Sequence, residues 1–429
     1  MTETTCQFNK EWFKRIGIYL AIFTCLLVAG FLIFNFKVFD KLSSKAGIEP
    51  TSVSLKEKPG ISGEGVEPVI LTKKEEGSSN VLSQEDLLLK EKIGQMIMVG
   101  FRGLALTDNQ PLQKQIKEGG VGGVILFDYD LLNKKYQRNI QSKSQLKKLT
   151  TDLQGIASTT LFIAIDEEGG MVERLKEGYG FKKDISAQKV GELGLTFALK
   201  VGLEIGYELK EMGINMNFAP VVDVNLNPNN PIIGKLERSF STSSKEVALM
   251  AEQFILGQSQ AGVISVVKHF PGHGSSLGDS HLGLVEVTET YKQEELVPYY
   301  YLQSKGLLNV VMTAHIVNKN IDPVLPATLS PLFLKDILRE QIGFTGLIIS
   351  DDMQMKAITS QFGFEEAITK AILAGCNLLV FSNNSGVAYD DYVASKAVEV
   401  IFQAVKQGKI PQEKINNSFN LITELKSQI

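Results

Sequence analysis

The sequence predicts one parallel (β/α)8 barrel, a TIM-type α/β fold, over residues 81–429, preceded by a membrane-spanning helix and a flexible tether. Two observations predict the barrel. Eight apolar runs rich in Val and Ile alternate with longer amphipathic segments, and polar residues able to do chemistry stand at the C-terminal ends of six of those runs. A third, a 21-residue apolar stretch near the N-terminus, predicts the anchor.

The N-terminal elements come first. Residues 1–15 form a short polar tail. After Lys14 and Arg15 no charged side chain appears until Lys37, which leaves IGIYLAIFTCLLVAGFLIFNF, Ile16 to Phe36. At ~1.5 Å per residue this stretch can cross a hydrocarbon core of roughly 30 Å. No small-x-small cleavage site follows it, and Ile22, Phe23 and Thr24 ahead of Cys25 make a poor lipobox, so the reading is an uncleaved single-pass anchor. Lys10, Lys14 and Arg15 on one side balance Lys37, Lys41 and Lys45 on the other, so charge does not orient it; the main domain is expected outside the cytoplasm. Residues 37–80, with SSKAG, EKPGISGEG and KKEEGSS, lack the apolar content to offset ordering entropy and read as a tether with a reach of roughly 35 Å.

The eight runs are KIGQMIMVGF from Lys92, GGVGGVILFD from Gly119, LFIAIDEE from Leu161, INMNFAPVVDVN from Ile214, ISVVKHF from Ile264, LNVVMTAH from Leu308, FTGLIISDD from Phe344 and CNLLVFSNN from Cys376. Each is apolar at nearly every position, as a strand covered on both faces must be. Between them lie helical patterns such as Leu195 to Gly213, stopped by glycine, and Ser244 to Gly262, opened by a serine cap. A doubly wound open sheet is the alternative, but no GxGxxG follows the first run.

Composition narrows the function classes. With 44 basic and 48 acidic side chains the formal net charge is −4, so no nucleic-acid partner is expected. The cysteines Cys6, Cys25 and Cys376 make no disulfide framework. Asp128, Asp166, Asp223, Lys268 with His269, His315, and Asp351 with Asp352 end successive runs, and in a barrel those ends converge on one mouth. Three of the four histidines lie in KHFPGHGSSLGDSH, Lys268 to His281. His269 and His273 are four apart, but Pro271 and Gly272 between them argue against a helical zinc site, and no HxH or repeated ligand spacing supports a metal. Asp279 beside His281 can fix the imidazole tautomer and favour a proton donor working near neutral pH. Asp351 offers a carboxylate from another strand; together the three can serve retaining glycoside cleavage, with a histidine where such enzymes usually carry a second carboxyl group.

These motifs are similar to glycoside hydrolase family 3, and within it to the exo-acting β-N-acetylglucosaminidases of the NagZ type that recycle peptidoglycan. The most specific is KHFPGHG followed by DSH; IDEEGGMVERL (Ile165 to Leu175), NFAPVVDVN (Asn217 to Asn225), ERSFS (Glu237 to Ser241) and SDDMQM (Ser350 to Met355) stand in family order. The resemblance implies Asp351 as nucleophile, His281 as acid/base with Asp279 as its partner, and Asp166, Arg174, Arg238, Lys268 and His269 as sugar-binding residues. It implies that His273 shapes the loop and that Asp223 and His315 line or brace the site. It implies a terminal β-linked N-acetylglucosamine on a glycan or muropeptide as substrate and no cofactor or metal; a monomer is expected. The anchor departs from the soluble recycling enzymes of this type. Two other readings stay open at this point: a family 3 enzyme with another sugar or with phosphate as acceptor, and a non-catalytic sugar-binding module on a membrane tether.

Overall fold

The computed structural model describes residues 82–429. The tail at 1–15, the apolar segment at 16–36 and the linker at 37–80 lie outside the described residues, and among the described residues no helix is long and apolar enough to cross a membrane. Helix α1 (Gln84–Gln95) opens on a capping box in which Ser83 and Asp86 satisfy each other's backbone N–H groups. There follow β1 (Ile97–Gly100), α2 (Gln110–Lys117), β2 (Gly123–Leu126), α3 (Lys143–Ile156), β3 (Phe162–Ile165), α4 (Ala187–Leu193), α5 (Leu195–Glu211), β4 (Met216–Asn217) and α6 (Ser244–Gln260). The fifth strand, β5, comes in two pieces, Ile264–Ser265 and Val267–Phe270. After it come α7 (Val297–Ser304), β6 (Val310–Thr313), a π-type helix at Leu332–Gln341, β7 (Leu347–Asp352), α8 (Phe364–Ala374), β8 (Leu378–Phe381), α9 (Val393–Lys406) and α10 (Gln412–Lys426).

The sheet is all parallel, and its hydrogen-bonded order begins with the first piece of β5, runs through β4, β3, β2, β1, β8, β7 and β6, and ends with the second piece of β5. Both ends of the order therefore belong to one stretch of chain. Val266, between the pieces, donates to Asn217 O at 2.9 Å, and Lys268 N donates to Pro220 O at 3.2 Å. The result is a nearly closed barrel-like sheet of the TIM type. β1, β2, β3, β6 and β8 are buried at every position, the condition that their unbroken apolar patterns anticipate.

All eight apolar runs hold a barrel strand, but their edges differ from the sequence reading. The first run begins inside a helix, because Lys92 to Gln95 are the last turn of α1; an apolar run has the same pattern in a buried helix end as in a buried strand. The fourth run yields only the two residues of β4 before it becomes irregular, although Val221 still bridges to Lys268. The cap of α6 is Ser243, whose extended backbone lets its Oγ accept from Glu246 N; Ser244 is already helical. α5 and α6 pack backbone to backbone: a Cβ on Gly202 would stand 2.3 Å from Phe254 O, and one on Gly257 would stand 2.4 Å from Leu199 O. Beyond the strands' C-terminal ends, the chain builds a hairpin (Tyr129–Asp130 with Lys135–Tyr136) and a short parallel ladder (Val285–Glu286 with Ile316–Val317). These extensions rise around the mouth.

Candidate active site

The site grows out of β3. Immediately after Ile165 the chain reads Asp166, Glu167, Glu168, and alternation carries the first and third to the mouth while the second turns away. Gly169 and Gly170 then reverse the chain at φ +85° and +64°, where side chains are disfavoured. Glu168 is nine-tenths buried, as are Arg238 and Lys268. Arg238 donates to it through Nε and Nη2, both at 2.7 Å, in a bidentate fork. Lys268 Nζ lies 2.6 Å from Glu168 Oε1 and 2.6 Å from Asp166 Oδ1. Burial pushes the Glu168 carboxyl up, but Arg238 and Lys268 outweigh it and hold the group well below the usual carboxylate range.

From this hub the other predicted sugar-binding residues are placed. Arg174 Nη2 is 3.7 Å from Asp166 Oδ2. His269, next to Lys268 on β5, sets its Nε2 3.4 Å from Arg238 Nη2, while its Nδ1 meets Asp223 Oδ2 at 2.6 Å. Asp223 is wholly buried and also accepts from the backbone N–H of His273 at 2.8 Å. Asp223 thus ties His269 to the backbone of the loop that follows it. His315 is held at both ring nitrogens: Nε2 reaches Asp352 O at 2.9 Å and Nδ1 reaches Thr328 Oγ1 at 2.7 Å.

On β7, Asp351 and Asp352 divide by alternation. The Asp352 carboxylate is occupied by Ser382 Oγ at 2.5 Å, Ser382 N at 3.0 Å and Gln354 N at 3.1 Å. Asp351 lines the same cavity as His281, Asp166, Arg174, Arg238, Lys268 and His269. Burial pushes its carboxyl up, yet His315, His269 and His281 together bring it below the ordinary aspartate value, so it is ionised at neutral pH.

The loop after β5 has two parts. Its root is fastened: Glu295, wholly buried, accepts from Gly274 N at 2.8 Å and Ser275 Oγ at 2.5 Å, Asn230 Nδ2 donates to His273 O at 2.8 Å, and His273 Nδ1 meets Ser276 Oγ at 2.7 Å. His273 therefore shapes the loop, although it also borders the cavity. The tip is open to solvent, with Leu277 and Leu282 72% and 75% exposed. There Asp279 Oδ1 accepts from both the backbone N–H and the Nδ1 of His281, each at 2.8 Å. The hydrogen bond that His281 donates to Asp279 raises the imidazole above its ordinary value, against an opposing effect of burial and with support from Asp351.

All the predicted catalytic and sugar-binding residues except Asp279 therefore border one cavity. The glycosyl hydrolase family 3 N-terminal domain matches residues 88–425. The chain belongs to glycoside hydrolase family 3. A β-hexosaminidase of Shewanella frigidimarina is 38% identical over 297 residues, covering 67% of this chain and 82% of that one. Among solved structures, a family 3 β-N-acetylglucosaminidase from Paenibacillus sp. str. FPU-7 is 35% identical at a TM-score of 0.72, over 79% of this chain and 62% of that one. A β-N-acetylhexosaminidase from Beutenbergia cavernae, 26% identical at a TM-score of 0.70, is matched over 98% of its length.

Glu168 and Glu295 were not singled out in the sequence. In this family 3 chain Glu168 is the partner on which two of the predicted sugar-binding cations depend. Glu168→Ala should destabilise the fold by about 3–5 kcal/mol, because it strands Arg238 in a buried site and leaves Lys268 with Asp166 alone. Urea unfolding of the variant checks this; a loss under about 1 kcal/mol, the level of a surface pair, would contradict it.

Proposed function

We propose that the chain is a retaining exo-β-N-acetylglucosaminidase that works through a glycosyl-Asp351 ester with His281 and Asp279 as its acid/base pair. Family membership and the β-hexosaminidase relatives support a glycoside hydrolase of β-N-acetylhexosaminidase activity. The observation that carries the mechanism is the His281 Nδ1 to Asp279 bond at the cavity that Asp351 and His281 both line. With Nδ1–H donated to Asp279, Nε2 is the atom that exchanges a proton with substrate.

In the first step the Asp351 carboxylate attacks the anomeric carbon, and the bond to the leaving oxygen breaks as Nε2–H protonates it. In the second step neutral Nε2 takes a proton from water, the hydroxide adds to the anomeric carbon, and Asp351 leaves as carboxylate. Lys268, Asp166, Arg174, Arg238 and His269 present the donors and acceptors that terminal sugar hydroxyls require. A pocket closed by these ion pairs at its base favours a chain end over a chain interior. The proposed substrate is an N-acetylglucosamine-ended glycan or peptidoglycan fragment, cleaved at its non-reducing end.

Asp351→Ala should lower turnover of a nitrophenyl β-N-acetylglucosaminide by at least about 10³-fold. A 5-fluoro analogue should label the wild-type peptide that contains Asp351, as read by mass spectrometry. Unchanged turnover, or label on another residue, would overturn the assignment, and a rate that requires inorganic phosphate would make the reaction phosphorolysis.

Asp279→Asn tests the proton donor through pH. The acid must be protonated in the first step, so the alkaline limb of kcat/KM follows His281. Removing the carboxylate removes the main influence raising that imidazole, so the limb should move to lower pH while the acid limb, set by Asp351, stays in place. A profile that only falls in height would refute the role given to Asp279.

We also propose that residues 16–36 anchor the enzyme and that residues 37–80 tether it, with the barrel outside the cytoplasm. The uncharged stretch between Arg15 and Lys37 motivates this. Protease added to intact cells should then release the barrel from the membrane fraction; full protection of the barrel would reverse the orientation.

A further inference from the structure

We propose that Glu167, Glu173 and Asp184 hold one hard divalent cation, calcium in the first instance, which fastens the sugar-binding loop from behind. One carboxylate oxygen from each lies within 4.8 Å of the other two, and the residues are 1%, 8% and 9% exposed. None of the three lines the catalytic mouth. This is therefore a separate cluster.

Its electrostatics are unbalanced. The neighbouring lysines pair elsewhere: Lys176 with Asp128, Lys182 with Glu204, and Lys143 with Glu208. Lys183 is exposed, and among the described residues no basic side chain forms an ion pair with any member of the cluster. Glu204 and Glu208 on α5 add to the negative field. Lys183 and Lys176 act on Glu173 and Lys182 on Asp184 only from beyond ion-pair distance, so three buried carboxylates without a paired cation favour neutralisation, by protons or by a metal.

A second observation points to the metal. Glu167 Oε2 accepts the backbone N–H groups of Arg174 and Leu175, each at 2.9 Å, but the buried Oε1 has no hydrogen-bond partner among the described residues. The remaining partners are to backbone, as with Glu173 Oε1, which accepts from Asp184 N at 2.7 Å. Carboxylate oxygens alone select a hard ion. Calcium accepts flexible all-oxygen geometries, whereas magnesium demands near-ideal octahedral ones and keeps several waters, so a buried site built from protein carboxylates favours calcium.

The location gives the ion a task. Glu167 stands between Asp166 and Glu168, its carboxylate grips the backbone at Arg174, and Asp184 O accepts from Gly170 N at 3.2 Å. One ion would join the start of the loop, its end at Glu173 and the segment that packs against its turn. Asp166, Glu168 and Arg174 would thereby be held as a unit.

The test uses the full-length chain, stripped with EDTA, dialysed and titrated with calcium chloride by calorimetry in the absence of substrate. One saturable site per chain is expected, with a higher melting temperature in calcium and a lower KM at similar kcat. Glu173→Gln and Asp184→Asn, made singly, should each weaken uptake by about tenfold or more. Two results would overturn the proposal: no saturable uptake of calcium, magnesium or manganese up to roughly 10 mM by a protein with native circular dichroism, or uptake that both variants retain. Because binding is read without substrate, neither result bears on the glycosidase assignment.

Discussion

The buried carboxylate of Glu168 is the point on which the mouth of this barrel is organised. A lone carboxylate there would cost several kcal/mol in lost hydration, and so would a lone Arg238 or Lys268. Held together at 2.6–2.7 Å they compensate one another and join three separate parts of the chain: the loop after β3, the irregular segment after β4, and β5 itself. Such a network contributes less to net stability than its short distances imply, because the ions' desolvation offsets most of their attraction. What it contributes is position. Lys268 also holds Asp166, and Arg238 sets a nitrogen beside the His269 ring, so the groups proposed to face the sugar share one fixed frame.

That rigidity at the base contrasts with the loop that carries His281. At its root the loop is tied to Glu295, whose carboxyl is pushed up to about 8 by burial although it accepts two loop hydrogen bonds. At its tip the dyad is self-contained: Asp279 grips both the backbone and the ring of His281, so the pair keeps its geometry wherever the tip lies. A proton donor that arrives as a preassembled pair needs no contact with the barrel to hold its tautomer. On the proposed mechanism the barrel would contribute the nucleophile and the sugar contacts, and the loop the proton.

The barrel was legible because strands buried on both faces must be apolar at nearly every position, and eight such runs leave few architectures open. Their edges were less legible. Lys92 to Gln95 read as strand because an apolar run does not distinguish a buried helix end from a strand. In the site, the predicted residues Asp351, His281, Asp166, Arg174, Arg238, Lys268 and His269 border one cavity, and Asp279 joins them through His281. Glu168 escaped attention beside Asp166, although the two-residue period of an extended chain puts both on one side. Glu295 gave no signal: in the sequence it is one of two glutamates ahead of a helix, and only the packing of a distant loop buries it.

On the proposed mechanism, the use of histidine in place of a second carboxylic acid follows from the charges already present. Asp351 is ionised at the bottom of the mouth, and Asp166 and Glu168 are nearby carboxylates whose charge is taken up by Lys268 and Arg238. An added carboxyl group at the loop tip would face Asp351 as a like charge once it gave up its proton, which would raise its affinity for that proton and slow its release. An imidazolium has the opposite relation. Asp351 and Asp279 both favour its charged form before the first step, and formation of the glycosyl ester removes the Asp351 charge as the proton leaves His281. The two partners thus lose their charges together. The second step then begins with a neutral imidazole beside a neutral ester, which is the state required for His281 to accept a proton from water.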